Sequence, residues 1–161
     1  MTELGKYRIL VVDDEPSVLV TYQLILEQEG YDVVACGTSA DAIDAVNQQK
    51  FDVLLCDYSL EEQHTGFEVI SAARKLDPEL PAALLTGYAT RETTEEAASQ
   101  NIGVMFKPIE ISEFLSTTAG MLRRNNEPYE KSIEKSVSAK NVRGQRHSGA
   151  GGRPVSRTGK G

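Results

Sequence analysis

The sequence predicts an α/β fold in which a five-stranded parallel sheet carries helices on both faces. Two observations predict it: short runs rich in Val, Leu and Ile recur along the chain, and a segment with helical periodicity follows each run. This alternation, with short connections, is typical of doubly wound parallel sheets. The five predicted strands are residues 8–12, 31–36, 51–56, 81–85 and 102–106.

The first two helices have clear start signals. Helix 16–29 opens with Pro16 and ends before Gly30. Helix 39–48 has Thr38 as its N-cap. Both show apolar residues at helical spacing, which predicts one face packed against the sheet. The predicted inner face of the second helix contains Ala42, Ile43 and Val46. That of the first helix is not cleanly apolar, since it contains Glu29 beside Leu19, Tyr22 and Leu26, and it is supplemented by Val18, Leu24 and Ile25.

The sequence signals for the remaining three helices differ in strength. Helix 66–76 ends before Asp77 and Pro78, because a residue preceding proline disfavours helical geometry. Helix 91–99 is weak, since it has no large apolar residue and contains two threonines. Helix 111–122 has a clear apolar face. The predicted inner faces are Phe67, Val69, Ile70 and Ala73 in the third helix, and Ile111, Phe114, Leu115, Ala119 and Leu122 in the fifth.

Charge and composition divide the chain into a domain, 1–124, and a tail, 125–161. Residues 1–122 carry 21 Asp and Glu against 7 Lys and Arg, whereas residues 123–161 carry 3 against 10. An acidic body argues against nucleic acid as the ligand of the domain. The Gly-, Arg- and Ser-rich tail has few apolar residues, so we expect it to be disordered from about residue 126.

No stretch approaches the roughly 20 apolar residues of a membrane span, and the N-terminus lacks a secretory signal; the sequence thus predicts a cytoplasmic protein.

Four of the predicted strands end at residues that can bind metal or phosphate. Asp13 and Asp14 follow the first strand, Asp57 the third, Thr86 the fourth and Lys107 the fifth. In an open parallel sheet, ligands bind outside the carboxyl ends of the strands. We therefore expect these carboxylates, the hydroxyl and the ammonium to converge in one cleft.

Four motifs carry a family resemblance: ILVVDDEP, VLLCDYSL, ALLTGY and MFKP, in this order and spacing. Together they resemble the receiver domain of two-component response regulators, over about residues 5–122. The resemblance implies a flavodoxin-like fold with strand order 2-1-3-4-5. It also implies a function in phosphorelay signalling, with a histidine kinase or phosphotransfer protein as partner and Mg²⁺ as cofactor.

The resemblance assigns a role to each strand-end residue. Asp57 would be the phosphoacceptor, and Asp13, Asp14, Asp57 and the backbone carbonyl of Ser59 would bind Mg²⁺, which prefers hard oxygen ligands. The remaining roles fall on the last two strands: Thr86 would donate to a phosphoryl oxygen, Lys107 would place a charge on another, and the bond between Lys107 and Pro108 would be cis. Such a protein would catalyse only its own phosphorylation and dephosphorylation, and would signal by binding an unknown downstream protein.

The chain departs from the family pattern at two places. The loop after Asp57, YSLEEQHTG, is one residue longer than usual and lacks the familiar proline, so Glu61, Glu62 and His64 would reshape the rim of the cleft. Val104 stands where many receivers have an aromatic switch residue, and valine has little rotamer range. Either output does not use an aromatic switch, or Tyr88 substitutes for it. Tyr88 would otherwise influence water access to the acyl phosphate, or would be a partly exposed loop residue.

Two alternative functions remain open from the sequence. The first is an aspartyl-nucleophile phosphatase of the haloacid dehalogenase type, although Asp57-Tyr58-Ser59 lacks the second acid of that motif. The second is an adaptor whose basic tail binds nucleic acid or an acidic partner; Tyr129 is the tail's one aromatic residue, so the tail offers charge without a stacking platform.

The cysteines and histidines predict no disulfide and no zinc site. Cys36 and Cys56 would lie on strands separated by a third, about 9–10 Å apart, whereas a disulfide requires Cα atoms within roughly 7 Å. We expect both to be core residues. His64 lies in a loop without an evident metal partner, so a solvated surface position is expected.

Overall fold

Each predicted strand forms within two residues of its expected bounds. The computed structural model describes residues 6–88 and 90–126, with side chains through Arg123. The predicted tail, 125–161, lies almost wholly outside these residues, and its disorder stays a prediction. The strands are β1 Arg8–Val12, β2 Asp32–Cys36, β3 Val53–Asp57, β4 Ala82–Thr86 and β5 Gly103–Phe106.

Five α-helices connect and follow the strands, as predicted. Helix α2 starts after Thr38, whose hydroxyl accepts a hydrogen bond from the Asp41 amide and so caps the helix. Helix α5 extends beyond its predicted end at residue 122. The helices are α1 Pro16–Gln28, α2 Ser39–Gln48, α3 Gly66–Leu76, α4 Arg91–Ser99 and α5 Ile111–Asn126. No helix within the described ranges is both long and apolar enough to cross a membrane.

The strands form one parallel sheet in the order β2-β1-β3-β4-β5. This confirms the flavodoxin-like order that the family resemblance implied. All residues of β3 and β4 are buried, whereas the edge strands β2 and β5 are partly exposed. Continuous apolar runs suit central strands because both of their faces are covered by helices.

Alternate residues of each strand face two separate cores. On one face, Leu10, Leu54 and Leu84 pack with residues of α2, α3 and α4. On the other face, residues such as Leu55 and Leu85 pack with α1 and α5. The period of two along a strand places neighbouring side chains on opposite faces. The described residues up to Leu122 thereby form one compact unit.

Two apolar residues of the predicted inner faces are exposed instead. Leu24 of α1 is 54% exposed, because Tyr22 and Leu26, four residues apart, define the packed side and Leu24 lies between them on the opposite side. Ile111 is 57% exposed; it is the first residue of α5, and the burial of that helix begins at Phe114. Phe114 stacks on Tyr22 with ring centroids 4.7 Å apart, which joins the two helices.

Helix α4 is held mainly at its C-terminal end. Ala97 is its one buried residue, as the absence of large apolar residues predicted. The Arg74 guanidinium donates to the carbonyls of Leu80, Gln100 and Asn101, at 3.0, 2.6 and 3.1 Å, and so ties α3 to the turn that follows α4. The N-terminal end of α4, next to the sheet's carboxyl edge, lacks a comparable tie among the described contacts.

The two cysteines are free and buried, as expected. Strand β1 separates the strands that carry them. Burial raises the pKa of the Cys36 thiol to about 11 and raises that of Cys56 well above its usual value. Both thiols are therefore protonated at neutral pH and act as small core residues.

Candidate functional site

Three carboxylates meet at the carboxyl edge of the sheet. Asp13 and Asp14 directly follow β1, and Asp57 is the last residue of β3. Because these strands pair in register, with Val12 beside Cys56, the carboxylates lie close together. Each can offer an oxygen within 4.8 Å of the others. Asp13 and Asp57 are 1% and 7% exposed, whereas Asp14 is exposed.

Lys107 places its ammonium between two of these carboxylates. It follows β5, and its backbone amide donates to the Thr86 carbonyl at 2.8 Å. Its Nζ lies 2.8 Å from Asp57 Oδ1 and 3.0 Å from Asp13 Oδ2. The peptide bond between Lys107 and Pro108 is cis.

The charges of this cluster do not balance, since one ammonium faces three carboxylates. Burial, with the charges of Asp13 and Asp14, raises the pKa of the Asp57 carboxyl, although Lys107 opposes the shift. Burial opposes the charged form of Lys107, but its hydrogen bonds and attraction to Asp57 and Asp13 raise the pKa of its ammonium well above the usual value. A second cation at the cluster would relieve the surplus negative charge.

The donor set fits a hard divalent cation. Carboxylate oxygens are the protein ligands that Mg²⁺ prefers, with phosphate and water completing six-fold coordination. The exposure of Asp14 leaves an open side for an ion to enter from solvent. Ser59, the other predicted ligand, lies in the loop two residues beyond Asp57 and forms an isolated antiparallel bridge with Thr65.

Thr86 is the last residue of β4 and is buried next to the cluster. Its hydroxyl donates to the Tyr88 carbonyl at 2.9 Å and accepts the Tyr88 amide at 3.1 Å. The hydroxyl hydrogen is thus already bonded within its own loop. To donate to a phosphoryl oxygen, the hydroxyl would have to give up its hydrogen bond to the Tyr88 carbonyl. The Tyr88 side chain is 82% exposed.

Val104 lies on β5, paired with Leu84, and packs against the core on the α2, α3 and α4 side. Phe106, two residues further along the strand, is 54% exposed, and sequence reasoning did not single it out. An apolar run at a sheet edge gives no signal that distinguishes a covered from an uncovered position.

The loop between β3 and α3 contains contacts that the sequence did not predict. The Glu61 carboxylate accepts hydrogen bonds from the Ser39 amide and hydroxyl at the start of α2. His64 pairs with Glu68 at 2.7 Å, on the first turn of α3. The hydrogen bond to Glu68 raises the pKa of His64. His64 is therefore a surface residue with an acidic partner and belongs to no described cluster of metal-binding groups.

Comparison with known proteins identifies the class to which this fold and site belong. The family model of the response regulator receiver domain matches residues 9–119. The chain therefore belongs to the response regulator receiver domain family, and phosphorelay signalling in two-component systems is the general function of that family. A receiver domain implies a histidine kinase or phosphotransfer protein as partner.

Individual relatives match over the same region. The transcriptional regulatory protein ZraR of Escherichia coli K12 is 31% identical over 110 residues, which is 68% of this chain and 25% of ZraR. YkoG of Bacillus subtilis 168 is 33% identical over 125 residues, or 76% of this chain and 54% of YkoG. The chain therefore spans about a quarter of the first relative and about half of the second.

Solved receiver structures agree with the fold. The receiver domain protein from Methanospirillum hungatei JF-1 is 28% identical with a TM-score of 0.72, and the match covers 76% of this chain and 98% of that one. The chemotaxis protein CheY4 of Vibrio cholerae is 26% identical with a TM-score of 0.68, covering 73% of this chain and 100% of that one.

Proposed function

We propose that this chain is a phosphorelay receiver that accepts a phosphoryl group on Asp57 in a Mg²⁺-dependent reaction. The observation that carries the proposal is the position of the Asp57 carboxylate: it ends a buried central strand, 2.8 Å from the Lys107 ammonium and beside Asp13 and Asp14. Phosphoryl transfer depends chiefly on positioning and on charge neutralisation, and this arrangement supplies both.

Each residue of the site has a defined part in the proposed reaction, and Asp57 has two. An Asp57 carboxylate oxygen attacks phosphorus; a P–O bond forms while the P–N bond to the donor imidazole breaks, and the imidazole nitrogen keeps that electron pair. Lys107 turns from Asp57 Oδ1 to a phosphoryl oxygen, and the Thr86 hydroxyl donates to another. Asp13, Asp14, Asp57 and the Ser59 carbonyl would hold Mg²⁺, which supplies charge neutralisation at the transferring group.

The phosphorylated chain would signal by binding another protein rather than by turning over a substrate. We propose that the chain does not act as an enzyme on any other molecule and that it works in the cytoplasm. We also propose that phosphorylation changes the relative populations of alternative conformations of α4 and its flanking loops. The poor burial of α4 supports this, because movable elements come from the low-stability part of a fold. Roles for Tyr88, for Val104 and for the basic tail stay predictions.

The acceptor assignment predicts that Asp57→Asn abolishes labelling. Purified protein is incubated with acetyl phosphate and Mg²⁺ and analysed on a phosphate-affinity gel. We expect a shifted band for the wild type and none for Asp57→Asn, because an amide is not a nucleophile for phosphorus. Asp44→Asn, which removes an exposed carboxylate of α2, is the matched control and should label normally. A shifted band in Asp57→Asn would refute the acceptor assignment, and no band in any protein, even with phosphorylated kinases, would refute phosphotransfer.

Magnesium should stabilise the fold. Ligand binding to the native state raises the free energy of unfolding by about 2.7 kcal/mol at 100 times the dissociation constant, so the wild type should melt higher in MgCl₂ and return to its original value in EDTA. Asp14→Asn should lose much of this gain without lowering the metal-free stability, because Asp14 is exposed and its charge repels that of Asp57. The proposal fails if Asp14→Asn and Asp44→Asn gain equally from Mg²⁺ in thermal unfolding.

A further inference from the structure

The loop that follows Asp57 is a closed unit. Ser59 and Thr65 form an antiparallel bridge across its base. The Leu60 amide donates to the His64 carbonyl, and the His64 amide donates to the Glu61 carbonyl, each at 2.9 Å. The bridge and these hydrogen bonds connect the loop to Ser59, two residues from the proposed phosphoacceptor.

The loop's conformation is strained. Glu62 and Gln63 have φ angles of 52° and 69°, in the left-handed region that non-glycine residues rarely adopt. Two adjacent residues in this region disfavour the loop relative to other conformations. Contacts with the rest of the fold must hold it in place.

Two contacts attach this loop to the α2 side of the molecule. Leu60 is buried in the core that α2 and α3 share, and apolar packing is not directional. The Glu61 carboxylate supplies the directional contact: its two oxygens accept the Ser39 amide at 3.1 and 3.0 Å, and Oε2 also accepts the Ser39 hydroxyl at 2.6 Å.

The Ser39 end of this contact is well suited to a carboxylate. Ser39 is the first residue of α2 and only 5% exposed, so its amide is one of the donors that the helix itself leaves unpaired. The positive end of the helix dipole favours a negative charge there.

We infer that Glu61 is a positioning residue for the site: by bonding Ser39, it holds the strained loop in the conformation that presents the Ser59 carbonyl for metal binding beside Asp57. This inference rests on the proposed function and adds a residue that the family motifs do not include. Glu61 stands in the loop that the sequence predicts to be one residue longer than is usual in the family.

The test measures Mg²⁺ affinity by isothermal titration calorimetry, below the unfolding temperature of every variant. Glu61→Ala should weaken Mg²⁺ binding roughly tenfold, the size typical for a lost outer-shell partner. Glu61→Gln should recover most of the affinity, because its amide oxygen still accepts from Ser39. Glu62→Ala is the matched control: it removes the same charge from the next residue, so an effect of charge alone would appear equally in both alanine variants.

A double-mutant cycle with Ser39→Ala separates positioning from simple helix capping. Ser39→Ala should weaken Mg²⁺ binding less than Glu61→Ala does, since the Ser39 amide remains, and its effect should vanish when Glu61 is already alanine. If Glu61→Ala lowers only the melting temperature and binds Mg²⁺ as Glu62→Ala does, Glu61 is a cap of α2 and the inference is overturned.

Acetyl phosphate labelling of the same proteins keeps this inference separate from the proposed function. We expect Glu61→Ala to label with a raised Mg²⁺ requirement. If the wild type binds Mg²⁺ but takes no label, phosphotransfer fails while the affinity series still decides the role of Glu61. If the wild type labels and all variants share its Mg²⁺ requirement and its affinity, the role of Glu61 fails alone.

Discussion

Lys107→Met is expected to slow phosphorylation of the chain by about a hundredfold, the effect typical of removing one preorganised donor from a reacting oxyanion. The substitution keeps the length and apolar stem of the side chain and removes only the ammonium, which lies 2.8 Å from Asp57 and 3.0 Å from Asp13. Initial rates of labelling with acetyl phosphate at saturating Mg²⁺ measure the effect. Lys75→Met, an exposed lysine of α3, is the control and should keep the wild-type rate.

The same substitution should destabilise the metal-free protein. Leaving buried carboxylates without their cation costs 3–5 kcal/mol in fully buried pairs, and the 26% exposure of the Lys107 side chain reduces this to about 2 kcal/mol. Mg²⁺ should restore part of the loss, because the ion replaces the missing positive charge. Chemical denaturation in EDTA and in MgCl₂ gives both values.

The loss in Lys107→Met should also depend on pH. The pKa of Asp57 is already raised in the fold and should rise further without Lys107. A raised carboxyl pKa contributes stability below the unfolded-state pKa, and that contribution is lost as the pH rises through the folded-state pKa. The stability difference from the wild type should therefore be larger at pH 7 than at pH 4. Equal differences at both pH values would mean that Lys107 does not compensate the carboxylates.

The sheet and the cluster of charged residues at its edge could both be predicted from the pattern of buried strands in the sequence. Runs such as residues 53–56 are local signals of buried strands, and parallel strands bring their carboxyl ends together whatever the details of packing. The approach of Asp13, Asp57 and Lys107 therefore follows from the strand order. Only the bounds differ, by one or two residues: Asp57 and Thr86 complete their strands rather than follow them.

The contacts made by loop residues could not be predicted from sequence patterns. Ser39 and Glu61 are 22 residues apart, and neither lies in a motif that indicates a partner. Thr86 was predicted to donate a hydrogen bond to a phosphoryl oxygen, but nothing in its motif indicates that its hydroxyl bonds the Tyr88 backbone. Such contacts depend on how loops fold over the sheet edge, which composition and periodicity do not encode.

Gly66→Ala is expected to lower the free energy of unfolding by about 3 kcal/mol, the upper end of the range for overpacking a close contact. Gly66 begins α3, and a Cβ there would lie 2.6 Å from the Asp57 carbonyl oxygen and from Leu84 Cδ2, and 3.2 Å from Cys56 Sγ. The Gly66 amide also donates to the Tyr58 carbonyl at 2.8 Å, which fixes the start of the helix against the strand end.

Helix propensity alone predicts the opposite sign, which makes this substitution a sharp test. Alanine is favoured over glycine in helices by about 1 kcal/mol, but the clash is with backbone and buried side chains that cannot rotate away. Gly37→Ala is the matched control, because a Cβ at Gly37 meets nothing within 4 Å and should change stability by less than about 0.5 kcal/mol. Urea denaturation of the two variants compares them directly.

Gly66→Ala should weaken the response to Mg²⁺ as well as the stability of the fold. Relief of the clash requires α3 to move away from the end of β3, and the loop of residues 59–65 is joined to that helix at Gly66. We therefore expect Gly66→Ala to gain less from Mg²⁺ in thermal unfolding than the wild type does, while Gly37→Ala gains fully. If Gly66→Ala matched Gly37→Ala in both stability and Mg²⁺ response, the close approach of α3 to Asp57 would not be required for the site.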